Sequence, residues 1–547
     1  MNNLEGKTEL IGKLFSSDFF FTIPDYQRPF AWEQDNFTDL IDDLATAQSD
    51  QQYFLGTLVL HKTDEKQNYD VVDGQQRLTT LLILIACLRD LIEDDDFKKQ
   101  LQGKIVQEEN KVDGIPEKAR ITVKDRSIFR ELVLAKRGTE TDKKEKDLVE
   151  PEVRYLQAIH IFKEKLQEYS QEQLQKFIQF VNQKCVVIYL ATSSFDDAFK
   201  LFTIVNDRGR QLRRIDILKA QNISPDAVPL PATRDKISKE WENLENDLGE
   251  SNLESILSLI RMIFLKEKPA EDIFNEFEKR IFRKGLLTRG EKFVDVVKSY
   301  GELYRSIFID RDFVEEDNSI KIKYKSLIYI MDKEFSASEW RACVLSYAKK
   351  FNEKDFYKFL LKLEKVYLEA WTKGVRKDER FSIYSTILRA IEASEKTTDV
   401  LNSIKFKEQP IKKVVTSKNF YLSRYAKYLL LRLEILTSEN DAVKEFNAKS
   451  IEHVFPQNPA SGSNWRNDPD YKSLNSVVHT IGNLVLLSKG KNSSASNLEF
   501  DKKKEKYLKE RVSDYPRSIQ ILTEADWTIA KIRERNKDIQ ERILDDF

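Results

Sequence analysis

The spacing of apolar positions changes along the chain, and each change predicts a change of structure. From Phe19 to Ile23, Tyr53 to Leu60 and Tyr69 to Val72, short runs rich in aromatic and β-branched residues read as strands. Phe37 to Leu44 keeps helical spacing, and Gln76 to Ile92 predicts a second, buried helix starting straight after the Asp73-Gly74 turn. Cys185 to Leu190 (CVVIYL) is the pattern of a buried strand, followed by a helix from Asp196 to Val205 and the turn Asn206-Asp207-Arg208-Gly209. This alternation predicts a small α/β domain with a helical part over residues 1–225. Within it, charge runs such as Asp142 to Asp147 break the period between Lys104 and Glu152, which predicts solvated helix and loop with little chemistry.

Residues 226–438 keep helical spacing almost throughout. Phe356, Leu360, Leu363, Tyr367 and Trp371 share one face, as do Tyr421, Tyr425, Tyr428 and Leu429, and such stripes are expected to be core. After Ser438-Glu439-Asn440 the chain turns to loops and short strands, which sets off a last domain over 439–547. The expected class is therefore α+β, predominantly helical, with an α/β start, a helical middle and a distinct C-terminal part.

Composition narrows the setting. Hydrophobic residues make up 41% and charged residues 33%, the balance of a folded chain with wet surfaces. The longest apolar run is too short to cross a bilayer and no leader pattern opens the chain, so a cytoplasmic protein without a membrane partner is expected. With 90 Lys and Arg against 91 Asp and Glu, no global field draws nucleic acid, and any such contact must come from local patches. Cys87, Cys185 and Cys343 lack CxxC spacing, which argues against a disulfide framework or cysteine-held zinc.

The most informative stretch runs Ser450-Ile451-Glu452-His453-Val454-Phe455-Pro456-Gln457, then Ile481-Gly482-Asn483-Leu484-Val485-Leu486-Leu487, then Lys491-Asn492 to Ser496-Asn497. It predicts a strand ending in a carboxylate and an imidazole, a loop, a second strand, and a turn opening a helix: a β-β-α unit. Phosphodiester hydrolysis needs a base for water and a cation for the growing charge. His453, with an ordinary pKa of about 6.5, suits the base. Glu452, on the opposite face of the strand, and the amide oxygen of Asn492 suit Mg²⁺ or Mn²⁺. Asn483 is expected to pin the loop through backbone hydrogen bonds. His479 lacks such support and reads as structural. Lys489, Lys491, Lys502, Lys503, Lys504 and Lys506 flank the site, either as phosphate contacts on DNA or as a solvated helix face.

Nearer the start, Asp73-Gly74-Gln75-Gln76-Arg77 places a tight turn between strand and helix, with backbone N–H groups free for an anion. Arg77 adds a fork-shaped charge for phosphate, and Asp73 suits a metal or a ribose hydroxyl. No GxxxxGK[ST] loop occurs, so spacing alone is a weak signal.

The C-terminal blocks resemble the HNH, or His-Me finger, family over about Glu439 to Leu522, in particular the module of RNA-guided nucleases and the GmrD part of type IV restriction enzymes. The resemblance implies a ββα-metal fold with His453 as base, Glu452 and Asn492 as metal ligands, Asn483 as loop anchor and Asn497 in support. The chain has Asn492 where many HNH enzymes have His, which implies a hard metal rather than zinc. Ile23 to Trp32, Phe54-Leu55-Gly56-Thr57, Asp73 to Thr80 and Phe202 to Lys219 resemble the GmrS-type domain, whose core is similar to ParB and sulfiredoxin. That resemblance implies binding and hydrolysis of a nucleoside triphosphate (ATP, GTP or UTP) by Asp73, Gly74, Gln75, Gln76 and Arg77, with Gln27, Arg28, Asn206 and Arg208 as further contacts. Both together are similar to a fused GmrSD enzyme, a type IV restriction endonuclease acting on modified double-stranded DNA such as that of phages, able to assemble with copies of itself. The rivals are a nicking or modification-sensing nuclease of other specificity, and an NTP-switched DNA-binding sensor that does not cut.

Overall fold

Six runs with strand-forming residues build one mixed sheet: β1 (Glu5–Leu10), β2 (Phe20–Thr22), β3 (Tyr53–Lys62), β4 (Asn68–Asp73), β5 (Ile121–Thr122) and β6 (Cys185–Thr192), in the order β1-β6-β3-β4-β2-β5. Pairing is antiparallel between β1 and β6 and between β3 and β4, and parallel elsewhere. Helices α1 (Gln34–Thr46), α2 (Gln75–Leu91), α3 (Glu152–Leu166) and α4 (Gln171–Gln183) share a core with the sheet. Every side chain of α2 from Leu78 to Leu88 is buried, as a helix apolar on all sides requires.

This computed structural model describes residues 4–24, 27, 29–47, 51–63, 67–123, 126–149, 152–194, 197–199, 201–202, 214–224, 227–314, 318–437, 449–488, 497–508 and 515–546. The chain divides into two compact units, residues 1–239 with 289–291, and residues 240–288 with 292–547. The helical stretch after residue 240 and the C-terminal strands thus share one unit, and the expected boundary at 439 falls inside it. Among the described residues no helix is long and apolar enough to cross a membrane.

Two expectations change in the first unit. Glu5–Leu10 forms a strand that polar, half-exposed residues hide from any periodicity argument. The stretch after Lys104 is not simply solvated: Ile121 pairs with Phe21 at the sheet edge, and Ile121, Leu132 and Val133 are buried in the core. All three cysteines are buried and free.

The second unit is helical, including α5 (Glu250–Leu265), α6 (Glu339–Phe351), α7 (Phe356–Lys373), α8 (Lys377–Ala393) and α9 (Ala426–Thr437). The α7 stripe packs as predicted, with Tyr367 stacked on Phe335 at 3.6 Å between ring centroids. The other stripe does not hold together. Tyr428 is buried in α9 and donates to Glu364 at 2.6 Å, but Tyr421 lies in a separate 3-10 turn, Phe420–Leu422, that precedes the helix. An antiparallel pair, β7 (Lys449–His453) and β8 (Leu484–Ser488), follows, then α10 (Phe500–Leu508), α11 (Pro516–Leu522) and α12 (Ile529–Asp546). Val454, Phe455, Val485, Leu487, Tyr507, Trp527 and Ile532 form the core beneath the strand pair.

Candidate active site

Alternation along β7 sends the side chains of Glu452 and His453 to opposite faces. Glu452 turns inward to α10, where its Oε1 accepts from Lys503 Nζ at 2.6 Å and from the Tyr507 hydroxyl at 3.1 Å. Lys503 Nζ also donates to the His453 carbonyl at 2.7 Å, so one ammonium clamps helix to strand. Burial raises the Glu452 carboxyl above its ordinary range and lowers the Lys503 ammonium, and their contact opposes both shifts. Lys503, expected among the DNA contacts, is 0% exposed and committed to this pair, so it is no surface contact for phosphate. Lys502, on the exposed side of the same helix, pairs loosely with Glu505 at 3.5 Å.

His453 faces a different set of partners. Its Nε2 lies 3.1 Å from His479 Nδ1, its Nδ1 lies 3.1 Å from Gln457 Nε2, and the Tyr421 ring packs edge-on at 4.3 Å. Tyr421 also stacks on His479 at 5.6 Å, and its backbone N–H donates to the His479 carbonyl at 3.0 Å. Burial, then the neighbouring His479 and Lys503, push the His453 pKa down to about 3. The ring is therefore neutral throughout the physiological range, not half-protonated as an ordinary histidine would be.

Asn483 is fully buried and ties the loop down. Its Oδ1 accepts from the Phe455 N–H at 2.9 Å and from Trp527 Nε1 at 3.2 Å; its Nδ2 donates to the carbonyls of Phe455 at 3.0 Å and Val478 at 2.9 Å. Its partners Phe455, Val478 and Trp527 are themselves buried, so its part is to position the turn after His453.

These elements leave a cleft of about 310 Å³ lined by Tyr421, Ile451, Glu452, His453, Pro456, Gln457, Asn458 and Asn497. Gln457, Asn458 and Asn497 bring carboxamide oxygens to its lining, while the Glu452 carboxylate is turned to Lys503 and Tyr507, and no group of three or more His, Cys, Asp or Glu that could hold a metal ion occurs among the described residues. Lys489, Lys491 and Asn492 lie outside the described residues. Sequence reasoning missed His479, Tyr421, Gln457 and Tyr507. Only His479 carried a chemical signal, and it lies twenty-six positions from its partner.

In the first unit the Asp73-to-Arg77 turn forms as expected, with Gly74 at φ 92° capping α2. A Cβ there would lie 2.3 Å from Leu58, so both conformation and space require glycine. Gly56, at φ 104° in the β3 bulge, leaves room for the Arg77 guanidinium, which donates to the Thr57 carbonyl at 3.0 Å. Burial raises the Asp73 carboxyl, opposed by the Gly74 N–H and Arg77. Gln76 accepts from the N–H groups of Ala31 at 2.7 Å and Trp32 at 3.1 Å, and Gln27 donates to the carbonyls of Val71 at 3.2 Å and Val72 at 2.9 Å. Both amides thus hold the segment around Pro29 against the turn. Gln75 is half-buried at the first position of α2. Arg28, Asn206 and Arg208 lie outside the described residues.

A model for the N-terminal domain of GmrSD restriction endonuclease matches residues 11–223, and one for the C-terminal domain of GmrSD restriction endonucleases matches residues 405–542. In that order the two matches define a restriction nuclease, a hydrolase whose partner is DNA. The chain belongs to the GmrSD family of type IV restriction endonucleases. Comparison with curated proteins found no match. The C-terminal match opens at residue 405, so it takes in Tyr421, which the expected boundary at 439 left out.

Proposed function

We propose that the chain is a nucleotide-regulated, metal-dependent endonuclease of HNH type that cuts modified DNA in the cytoplasm, with His453 as general base. The observation that carries this reading is a buried imidazole at a strand end that lines the cleft, its Nδ1 3.1 Å from the side chain of Gln457, which lines the same cleft. A neutral ring has the free lone pair that proton transfer from water requires. Its low proton affinity reflects burial and two neighbours that oppose positive charge; a phosphodiester in the cleft would supply a negative charge and raise that affinity as the reaction proceeds.

A hard divalent cation, Mg²⁺ or Mn²⁺, would be held by Glu452 and Asn492 with support from Asn497, and Glu452 would reach it by giving up its inward pair with Lys503. When bound, such an ion neutralises charge on the phosphoryl oxygen and the leaving group. Lys503 balances Glu452 from the interior, and Asn483 fixes the turn that follows the base. DNA contacts fall to Lys489, Lys491 and Lys502. The strand pair with α10 supports a ββα-metal reading of this part.

In the first unit, Asp73, Gly74, Gln75 and Arg77 would meet a nucleoside triphosphate, while Gln27 and Gln76 hold the turn in shape, in a core of ParB and sulfiredoxin type. Nucleotide state regulates cleavage only if the states differ in affinity for DNA or in exposure of the nuclease cleft.

The test is digestion of matched modified and unmodified phage DNA by the full chain with Mg²⁺ or Mn²⁺, with and without ATP, GTP and UTP. Metal-dependent cutting of the modified DNA, at a rate that one nucleotide changes, is expected. Binding without cutting under every condition would replace this reading with an NTP-switched DNA-binding protein.

A further inference from the structure

The reading of His453 as base leaves open which ring nitrogen carries the proton, and a base with the wrong tautomer presents N–H to water instead of a lone pair. Two neighbours of the ring bear on this. Gln457 places its amide nitrogen 3.1 Å from His453 Nδ1, and an amide N–H only donates, so Nδ1 is the acceptor. Nε2 then bears the hydrogen, and 3.1 Å away it meets His479 Nδ1. Two donors cannot face each other there, so His479 must present its own lone pair at Nδ1. Gln457 is exposed and lines the cleft, and its amide occupies the place a water would take at Nδ1.

We propose that His479 is a positioning residue for cleavage: by accepting the Nε2 hydrogen of His453 it fixes the tautomer whose Nδ1 lone pair faces the cleft. Tyr421 supports this contact from two sides. His479 is anchored by the hydrogen bond from the Tyr421 N–H to its carbonyl, and its ring stacks on Tyr421 at an interplanar angle of 11°. Tyr421 also packs edge-on against His453, so one aromatic side chain sets the angle between both imidazoles, 78°. Loss of the acceptor at His479 removes the preference for one tautomer and lets the His453 ring turn. The role is that of the group orienting the base in a hydrolytic triad, performed by a neutral imidazole.

Asparagine and glutamine separate this role from packing, since both remove the ring. The Asn Oδ1 comes close to the position of His Nδ1, whereas the Gln Oε1 reaches further along the side chain. The chain has four histidines, so the imidazole ¹⁵N resonances of the full protein can be assigned by single substitution. Nitrogen shifts in wild type should report His453 protonated at Nε2, unchanged in His479→Asn and mixed in His479→Gln and His479→Ala. Single-turnover cleavage of modified phage DNA at saturating DNA should fall on the order of 10- to 100-fold in the Gln and Ala variants, with the Asn variant recovering most of the rate and DNA affinity unchanged in all three. A wild-type His453 protonated at Nδ1, or equal rates and equal tautomers in the Asn and Gln variants, would overturn the proposal. His453→Ala in the same series distinguishes the underlying reading: if it cuts like wild type, the base assignment falls, whereas the nitrogen shifts still decide whether His479 sets the tautomer.

Discussion

Around Asp73 to Arg77 the polar side chains grip backbone, whereas around His453 they grip one another. Gln27, Gln76 and Arg77 hold main-chain groups of β4, of the Ala31–Trp32 segment and of β3. His453, by contrast, meets His479 and Gln457, and Glu452 meets Lys503 and Tyr507. The first region is a turn whose shape depends on its functional residues. The second is a charge and proton arrangement mounted on a strand pair, joined to the core beneath it through Tyr507. Substitutions should therefore change shape and binding together in the first, and chemistry apart from stability in the second.

The largest effect that sharpens this contrast is expected at Arg77. Arg77→Ala should lower nucleoside triphosphate turnover by roughly 100-fold, since it removes both a phosphate-matched fork and the hold on Thr57. Phosphate release assays on the full chain check this, and undiminished turnover would remove the nucleotide site from this turn. Asn483 is the residue of the second region that behaves like those of the first, because all its side-chain hydrogen bonds but that from Trp527 go to backbone. Asn483→Ala should cost about 3 kcal/mol of stability by leaving buried groups unpaired. Chemical denaturation reads it, and a loss confined to activity would break the comparison. Gly74→Ala should cost a smaller amount, about 2 kcal/mol, from a positive φ and the approach of Leu58. A thermal melt checks that value, with a fall in nucleotide affinity expected alongside it.

How much of this was legible in the sequence follows the same division. The turn at Asp73-Gly74 is local, so the strand, the glycine and the buried helix after it stand next to one another in the chain, and their period betrays them. Gln27 and Gln76 read as ligand contacts because a sequence does not show that an amide is already committed to main chain forty-five positions away. The C-terminal site draws its groups from four separate segments, Tyr421, Glu452 to Gln457, His479 to Asn483, and Asn497 to Tyr507. Glu452, His453 and Asn483 stood out because each carries chemistry at a strand end or before one. His479 reads as structural because it stands outside the three blocks of the pattern, although folding brings it 3.1 Å from His453. Lys503 looked like its neighbours Lys502 and Lys504, since nothing in a lysine run marks which member turns inward until the helix is docked. Tyr421 fell into a helical stripe by spacing, but the turn ahead of α9 takes it out of that helix.

On the proposal made above, His453 performs the chemistry while its neighbours hold the fold and the charge. Its most direct test is the single-turnover rate of His453→Ala on modified phage DNA, measured with bound DNA matched to wild type. A loss of at least about 100-fold is expected, with DNA affinity and thermal stability retained. Cleavage within a few-fold of wild type, or a loss traceable entirely to weaker DNA binding, would contradict it.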